Sequence, residues 1–198
     1  MEQMFPEITV TWKTGNEPFT HLGSPLGYTL LGFWQWIGSD LTSNTMRGML
    51  AEFIVAQALN AASGPRREWD AQDLVSPEGT KIEVKSAAYC QTWKQERESK
   101  IIFGIRPTHG WDAVTNDYSI ERKRQADVYV FCVLKHRDQS TLDPLSLEQW
   151  EFYVLSTRVL NALVPNQKTI SLSSLLHLGA EPTSYDSLRK TVAKAATI

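Results

Sequence analysis

The segment that most constrains the fold is Ala126-Asp-Val-Tyr-Val-Phe-Cys-Val-Leu134. Beyond Asp127 it is apolar without a break and rich in β-branched and aromatic residues. Side chains alternate along a strand, so this run is apolar on both faces and belongs in the middle of a sheet. The segments around it supply the rest of the layers. Thr45 to Ala61 has no proline and one glycine, follows the capping cluster Asp40-Leu-Thr-Ser-Asn44, and ends at Asn60-Ala-Ala-Ser-Gly-Pro65. It is the best helix in the chain. Short strands are expected at 71–75, 80–87, 100–105, 151–155 and 169–172, and short helices at 30–39 (buried, with Phe33, Trp34, Trp36 and Ile37 in the core), 158–163 and 184–196. Residues 106–124 read as a polar loop of unusual length. The order gives a mixed α/β domain.

At 198 residues the chain is most simply one domain. Residues 1–28 read as an irregular arm with a short strand at 8–12. Residues 30–134 form the core, and 145–198 a C-terminal extension of strand and helix. The 42% hydrophobic and 10% aromatic content excludes wholesale disorder. A net charge of -2 excludes a globally basic coat for nucleic acid, though not a local basic face. The acids near the N-terminus do not suit a signal peptide, and the apolar stretch 26–37 is too short to span a bilayer. Two cysteines, Cys90 and Cys132, build neither a disulfide framework nor a zinc knuckle. The expectation is a cytoplasmic protein with no membrane association. The four histidines lack zinc spacing, and no nucleophile elbow, phosphate-cradling loop or dinucleotide fingerprint is present.

The chemistry concentrates in Asp70-Ala-Gln-Asp-Leu-Val-Ser-Pro-Glu-Gly-Thr-Lys-Ile-Glu-Val-Lys85. Pro77, Glu78 and Gly79 suit a three-residue hairpin loop. Ser76 then faces Thr80, Leu74 faces Ile82, and Asp73 faces Glu83. Leu74, Ile82 and Val84 share the core face, while Asp73, Glu83 and Lys85 share the other. Two carboxylates directly opposite each other, with Cβ atoms ~5 Å apart, repel. A divalent cation is the simplest remedy, and two carboxylates plus water suit Mg²⁺. Lys85 stands beside the same place, able to orient or deprotonate a bound water. Asp70 is the competing acid, of opposite facing. A merely solvated hairpin face is the bland alternative.

Glu52 adds to the case. It shares a helix stripe with Gly48, Met49, Val55, Ala56 and Leu59, and no lysine or arginine lies three or four residues away. A carboxylate on an apolar stripe is costly unless paired, protonated or linked to a metal. Its alternatives are an edge position or a distant arginine.

Glu52, Asp73, Glu83 and Lys85, in this order and with the Glu-x-Lys on a hairpin, resemble the PD-(D/E)XK nuclease superfamily. Phe33-Trp-x-Trp36, Ser39-Asp-Leu41, Arg47-Gly48 and Gln91-x-Trp93 resemble uncharacterised bacterial members of it. Gln72 stands where many members have proline. The resemblance implies a restriction-endonuclease-like core of order α–β–β–β–α–β, its second helix starting within 106–125. It implies a DNA endonuclease of restriction or repair type that hydrolyses phosphodiesters with Mg²⁺ or Mn²⁺. Asp73, Glu83 and the Val84 carbonyl would hold the metal, Glu52 would bind it directly or through water, Lys85 would hold the attacking water or stabilise phosphate charge, and Gln91 would reach the site. A homodimer would cut both strands.

DNA contacts are expected from Lys94, Arg97 and Lys100 before the third strand, and from Arg122, Lys123 and Arg124 at the end of the long loop. Trp93 and Trp111 are either stacking platforms or packing. Residues 81–124 carry nine bases against six acids, whereas 1–52 carry two against five. The basic excess follows the candidate site directly, which predicts a localised contact surface and a limited salt slope. Two other classes compete: a catalytically silent nuclease-like fold that binds nucleic acid or a protein, and a hydrolase of RNA or small molecules with the same metal site. The intact quartet argues against a relic.

Overall fold

A computed structural model describes residues 8–66, 71–112 and 117–197. The chain divides into two compact units, residues 1–39 with 63–66, and residues 40–62 with 67–198.

In the first unit, strands β1 (Pro18–His21) and β2 (Ser24–Thr29) pair antiparallel. They are joined by Leu22 and Gly23, both at positive φ, as the mirror-image hairpin turns require. Phe19 and Tyr28 meet across the pair at 5.0 Å between ring centroids. Helix α1 (Leu30–Gly38) follows directly. Two sequence expectations change here. The strand foreseen at 8–12 is absent, and the hairpin lies at 18–29 instead. The helix is where it was expected but buries no residue, and Trp36 is 82% exposed. Its apolar side chains are large, but among the described residues nothing packs over them closely enough to bury one.

The second unit is built on a five-stranded mixed sheet of order β11-β9-β8-β4-β3. Its elements in chain order are α2 (Asn44–Ala58), β3 (Leu74–Val75), β4 (Lys81–Ala88), β5 (Ile102–Gly104), β6 (Thr108–Asp112), β7 (Asp117–Lys123), β8 (Val128–Leu134), β9 (Trp150–Ser156), α3 (Thr157–Leu163), β10 (Thr169–Ser171), α4 (Leu172–His177), β11 (Glu181–Thr183) and α5 (Leu188–Ala196). Strand β8 is central, and all seven of its residues are buried. It runs parallel to β4 and antiparallel to β9. One face of the sheet (Ile82, Val84, Val128, Val130, Cys132, Phe152, Val154) packs on Ala51, Ile54 and Val55 of α2 and Leu188 and Val192 of α5. The other face (Ala87, Tyr129, Phe131, Val133, Leu155) packs on Phe103, Ile105, Leu160, Ile170 and Leu175. Each fully covered aliphatic or aromatic side chain contributes about 1.5–3 kcal/mol, so this double-sided core fixes β4 and β8 firmly.

Helix α2 starts at Ser43, whose hydroxyl accepts from the Met46 N–H at 3.4 Å. It stops before Asn60, which turns left-handed at φ 54°. Within residues 106–124, expected as a loop, Thr108–Asp112 and Asp117–Lys123 form the antiparallel ribbon β6–β7. Among the described residues of 106–125, the expected start of the second core helix is not found. The ribbon escaped notice because it is exposed on most of its length and shows no apolar alternation. Strand β11 and helix α4 were not foreseen either, being three and six residues long. Among the described residues, no helix is long and apolar enough to cross a membrane.

Candidate active site on the β3–β4 hairpin

The hairpin has the register that its turn residues dictate. The Gly79 N–H donates to the Ser76 carbonyl and the Ser76 N–H to the Thr80 carbonyl, both at 2.9 Å, with Gly79 at φ 88°. Leu74 pairs with Ile82 and Val75 with Lys81. The next step along both chains sets Asp73 against Glu83. Regular pairing ends there, because β3 has only two residues. The Asp73 side chain takes over: its Oδ2 accepts the Val84 N–H at 2.7 Å. A side-chain carboxylate thus occupies the place of a backbone carbonyl on the edge of β4. Strand geometry turns the Val84 carbonyl to the same edge as its N–H.

Lys85 lies two residues beyond Glu83 on the same face, and its Nζ donates to Glu83 Oε1 at 2.5 Å. Both side chains are half-buried. They sit at the rim of the second core, where Glu83 and Lys85 are the β4 neighbours of Tyr129 and Phe131. Glu52, half-buried on α2, acts electrostatically on both Asp73 and Lys85. The structure therefore brings Asp73, Glu83 and Lys85 together, with Glu52 in electrostatic range. Asp70 lies outside the described residues.

The electrostatics are those of a site with too much negative charge. Burial, then the Glu83 charge and more weakly Glu52, push the Asp73 carboxyl up to about 6, against opposing help from Lys85 and the Val84 N–H. Burial works against the Lys85 ammonium, but Glu83, Asp73 and Glu52 more than offset it and raise its pKa. Three carboxylates thus act on one ammonium. Among the described residues, no group of three or more His, Cys, Asp or Glu is arranged to hold a metal ion. Two carboxylates and a backbone carbonyl, completed by water, match the habit of Mg²⁺, which dehydrates reluctantly.

Gln91 is placed differently from its expected role. Its Oε1 accepts from Arg47 Nη1 at 3.1 Å, and its Nε2 donates to the Ala88 carbonyl and to Ser99 Oγ. Its amide serves Arg47, which sequence reasoning overlooked. Arg47 is 4% exposed and also donates to the Thr42 carbonyl (2.9 Å), Asn44 Oδ1 (2.7 Å) and Ser86 Oγ (3.3 Å). Burial lowers its pKa. Arg47 ties the start of α2 to β4 one residue past Lys85. Its signal in the sequence was weak: an arginine in the first turn of a helix ordinarily looks outward.

The basic residues divide. Lys94, Arg97 and Lys100 are exposed before β5, and Arg122 and Lys123 are exposed on β7. Arg124 corrects its expectation as a phosphate contact. It is 6% exposed and donates to the carbonyls of Ile105, Val164 and Gln167 and to Asn161 Oδ1. Its guanidinium is consumed in holding the fold. Trp93 is half exposed, and Trp111 packs edge-on against Tyr118 at 4.9 Å.

Residues 37–174 match the family described as Bacteriophage T4 endonuclease IV. That is well over half of the chain, and it includes the quartet, Arg47, Gln91 and the ribbon. No curated protein matches the chain.

Proposed function

The chain belongs to the bacteriophage T4 endonuclease IV family, and from that premise we propose that it is a Mg²⁺-dependent DNA endonuclease of the PD-(D/E)XK kind, with its active site on the β3–β4 hairpin. The observation that carries this reading is the Asp73 carboxylate, pinned on the Val84 N–H opposite Glu83, with Lys85 paired to Glu83 beside it. The order Glu52 on α2, Asp73 just before β3, and Glu83 and Lys85 on β4 supports the superfamily assignment. Among the described residues, the stretch between β5 and β8 holds strands and no helix, which departs from it.

Asp73, Glu83 and the Val84 carbonyl would hold the ion, with Glu52 facing it directly or through water. When bound, Mg²⁺ lowers the pKa of water and neutralises charge on the phosphate (Mn²⁺ serves likewise). Lys85 is the residue that acts on the substrate. Its ammonium is held on the site side of β4 by Glu83, where it can orient the attacking water or donate to a non-bridging phosphate oxygen as charge develops. The buried Arg47 cluster ties the start of α2 to β4, the two elements that carry Glu52 and Lys85. Free, buried Cys90 and Cys132 suit a reducing cytoplasm. Two copies of the chain would cut the two strands of a duplex.

The test is nicking of supercoiled and linear DNA with Mg²⁺, Mn²⁺ or EDTA, beside Lys85→Ala and Asp73→Ala. Cutting that requires the metal and disappears in both variants supports the proposal. Cutting that survives EDTA, or equal rates in the variants, overturns it.

A further inference from the structure

We infer that the β6–β7 ribbon is a DNA-distorting element, in which Ile120 is a wedge inserted between bases and Arg106, Arg122 and Lys123 grip the flanking phosphates. The inference takes its partner, DNA, from the endonuclease reading above. Its other grounds are the ribbon's own.

The first is the position of Ile120. His109 pairs with Arg122 and Trp111 with Tyr118, so two steps on β6 oppose four on β7. The surplus forms a bulge over Ser119, Ile120 and Glu121. Bulges re-aim side chains and are enriched near active sites. This one leaves Ile120 99% exposed. A β-branched hydrocarbon held wholly in water contributes nothing to folding. It is the type of side chain that architectural proteins insert between base steps.

The second is that the bulge is held, not slack. Ser119 Oγ accepts the Gly110 N–H at 2.9 Å and donates to the Glu121 carbonyl at 2.9 Å. His109 Nδ1 donates to the Ser119 carbonyl at 2.7 Å, while its Nε2 accepts from Arg122 Nε at 2.9 Å. The imidazole thus fixes both the bulge and the arginine. At the base, Arg124 bonds the Ile105 carbonyl and so joins the two ends of the ribbon. Gln125 Nε2 bonds the carbonyls of Thr108 and Lys123. Gly110 makes room for it, since a Cβ there would lie 2.8 Å from the Gln125 amide carbon. A two-stranded ribbon is marginal by itself. Here polar clamps, with the Trp111–Tyr118 contact, make it rigid without a core, as an element meant to enter a partner must be.

The third is shape and charge. A cavity of about 620 Å³ runs along the ribbon, lined by Arg106, Thr108, His109, Tyr118, Ser119 and Arg122. Lys123 continues its cationic rim, while Glu121 at the bulge and Asp117 near the far end are acidic. The cations therefore lie at the base, towards the β4–β8 end of the sheet, where Ile82 is the neighbour of Val128. Four residues of chain, 124–127, join Lys123 to the first residue of β8, whose neighbour on β4 is Ile82.

The test uses the full chain in EDTA, so that nothing is cut, with duplexes carrying 2-aminopurine at successive positions. Unstacking by the wild type raises its fluorescence several-fold at one step. In Ile120→Ala, whose side chain touches no core, that rise is lost while affinity changes less than about threefold. Arg106→Ala and Arg122→Ala weaken binding about tenfold and each reduce the salt slope by about one. No rise at any position, a rise undiminished in Ile120→Ala, or no binding overturns the inference. A wild type that unstacks DNA but never cuts it with metal would overturn the proposed activity and leave the wedge standing.

Discussion

The chain contains two antiparallel hairpins of opposite character in its larger unit. The β3–β4 pair has two residues on its outer strand, yet it is part of a sheet packed on both faces. The β6–β7 ribbon is longer but belongs to no sheet larger than itself. In the first, apolar packing sets the register, and the polar groups are free to be arranged for chemistry: Asp73 replaces a backbone acceptor and Lys85 is paired at the rim. In the second, polar groups must do the holding, through Ser119, His109, Arg124 and Gln125. The contrast teaches that a carboxylate cluster with strained charge can exist where the scaffold is secured elsewhere, whereas a free-standing element spends its polar side chains on itself.

Predictions that break or sharpen this contrast run from catalysis to silence. Removing Lys85 or Asp73 by alanine should lower metal-dependent nicking by about a hundredfold or more, with the circular-dichroism spectrum unchanged. Arg47→Ala leaves four partners unserved, three of them half-buried, and should cost about 3 kcal/mol in urea unfolding. Arg124→Ala should cost about 2 kcal/mol on the same grounds. Unlike Arg47→Ala, it should speed amide exchange chiefly in the ribbon, as mass spectrometry would read. If Arg47→Ala and Arg124→Ala loosen the same segments, the two hairpins are not independent.

The pH dependence follows from Asp73. Its folded pKa of about 6 lies above the ordinary 3.8, so the native state takes up its proton first. The contribution of Asp73 to the stability of the metal-free protein should be greatest below about pH 4, fall as pH rises to about 6, and then level off. The drop is on the order of 1–3 kcal/mol. Asp73→Asn should flatten this segment of the curve. With Mg²⁺ the sign of the advantage reverses, because the ligand must be ionised: thermal stabilisation by the metal should be larger at pH 7.5 than at pH 5. The smallest effect belongs to Ile120→Ala, within about 0.5 kcal/mol of wild type in unfolding experiments.

The site was more legible in the sequence than the ribbon, for physical reasons. Pro77, Glu78 and Gly79 determine a turn, a turn determines a register, and a register determines that Asp73 meets Glu83. Strand β8 announced itself by an unbroken apolar run, and Glu52 by its odd company on α2. Periodicity fails where there is no buried face to be periodic about. That hid the ribbon, whose side chains alternate between water and water. It also mistook α1 for core, since aromatic content does not say what covers it. Arg47 and Arg124 were illegible for a related reason: local sequence shows a charge but not the distant carbonyls and amides that bury it. Arg124 looked like a phosphate contact because Arg122 and Lys123 precede it. One residue further along, the chain turns into the sheet.

The central claim is that the β3–β4 carboxylates perform the chemistry and do not serve merely to bind. It is tested most directly by measuring DNA binding and Mg²⁺-dependent nicking in the same samples of wild type and Glu83→Gln, an isosteric change that removes one charge and leaves the hairpin register intact. The account predicts that Glu83→Gln binds DNA at least as tightly as wild type and nicks it at less than about one hundredth of the rate. Nicking at the wild-type rate by Glu83→Gln would contradict it and place the active site elsewhere in the chain.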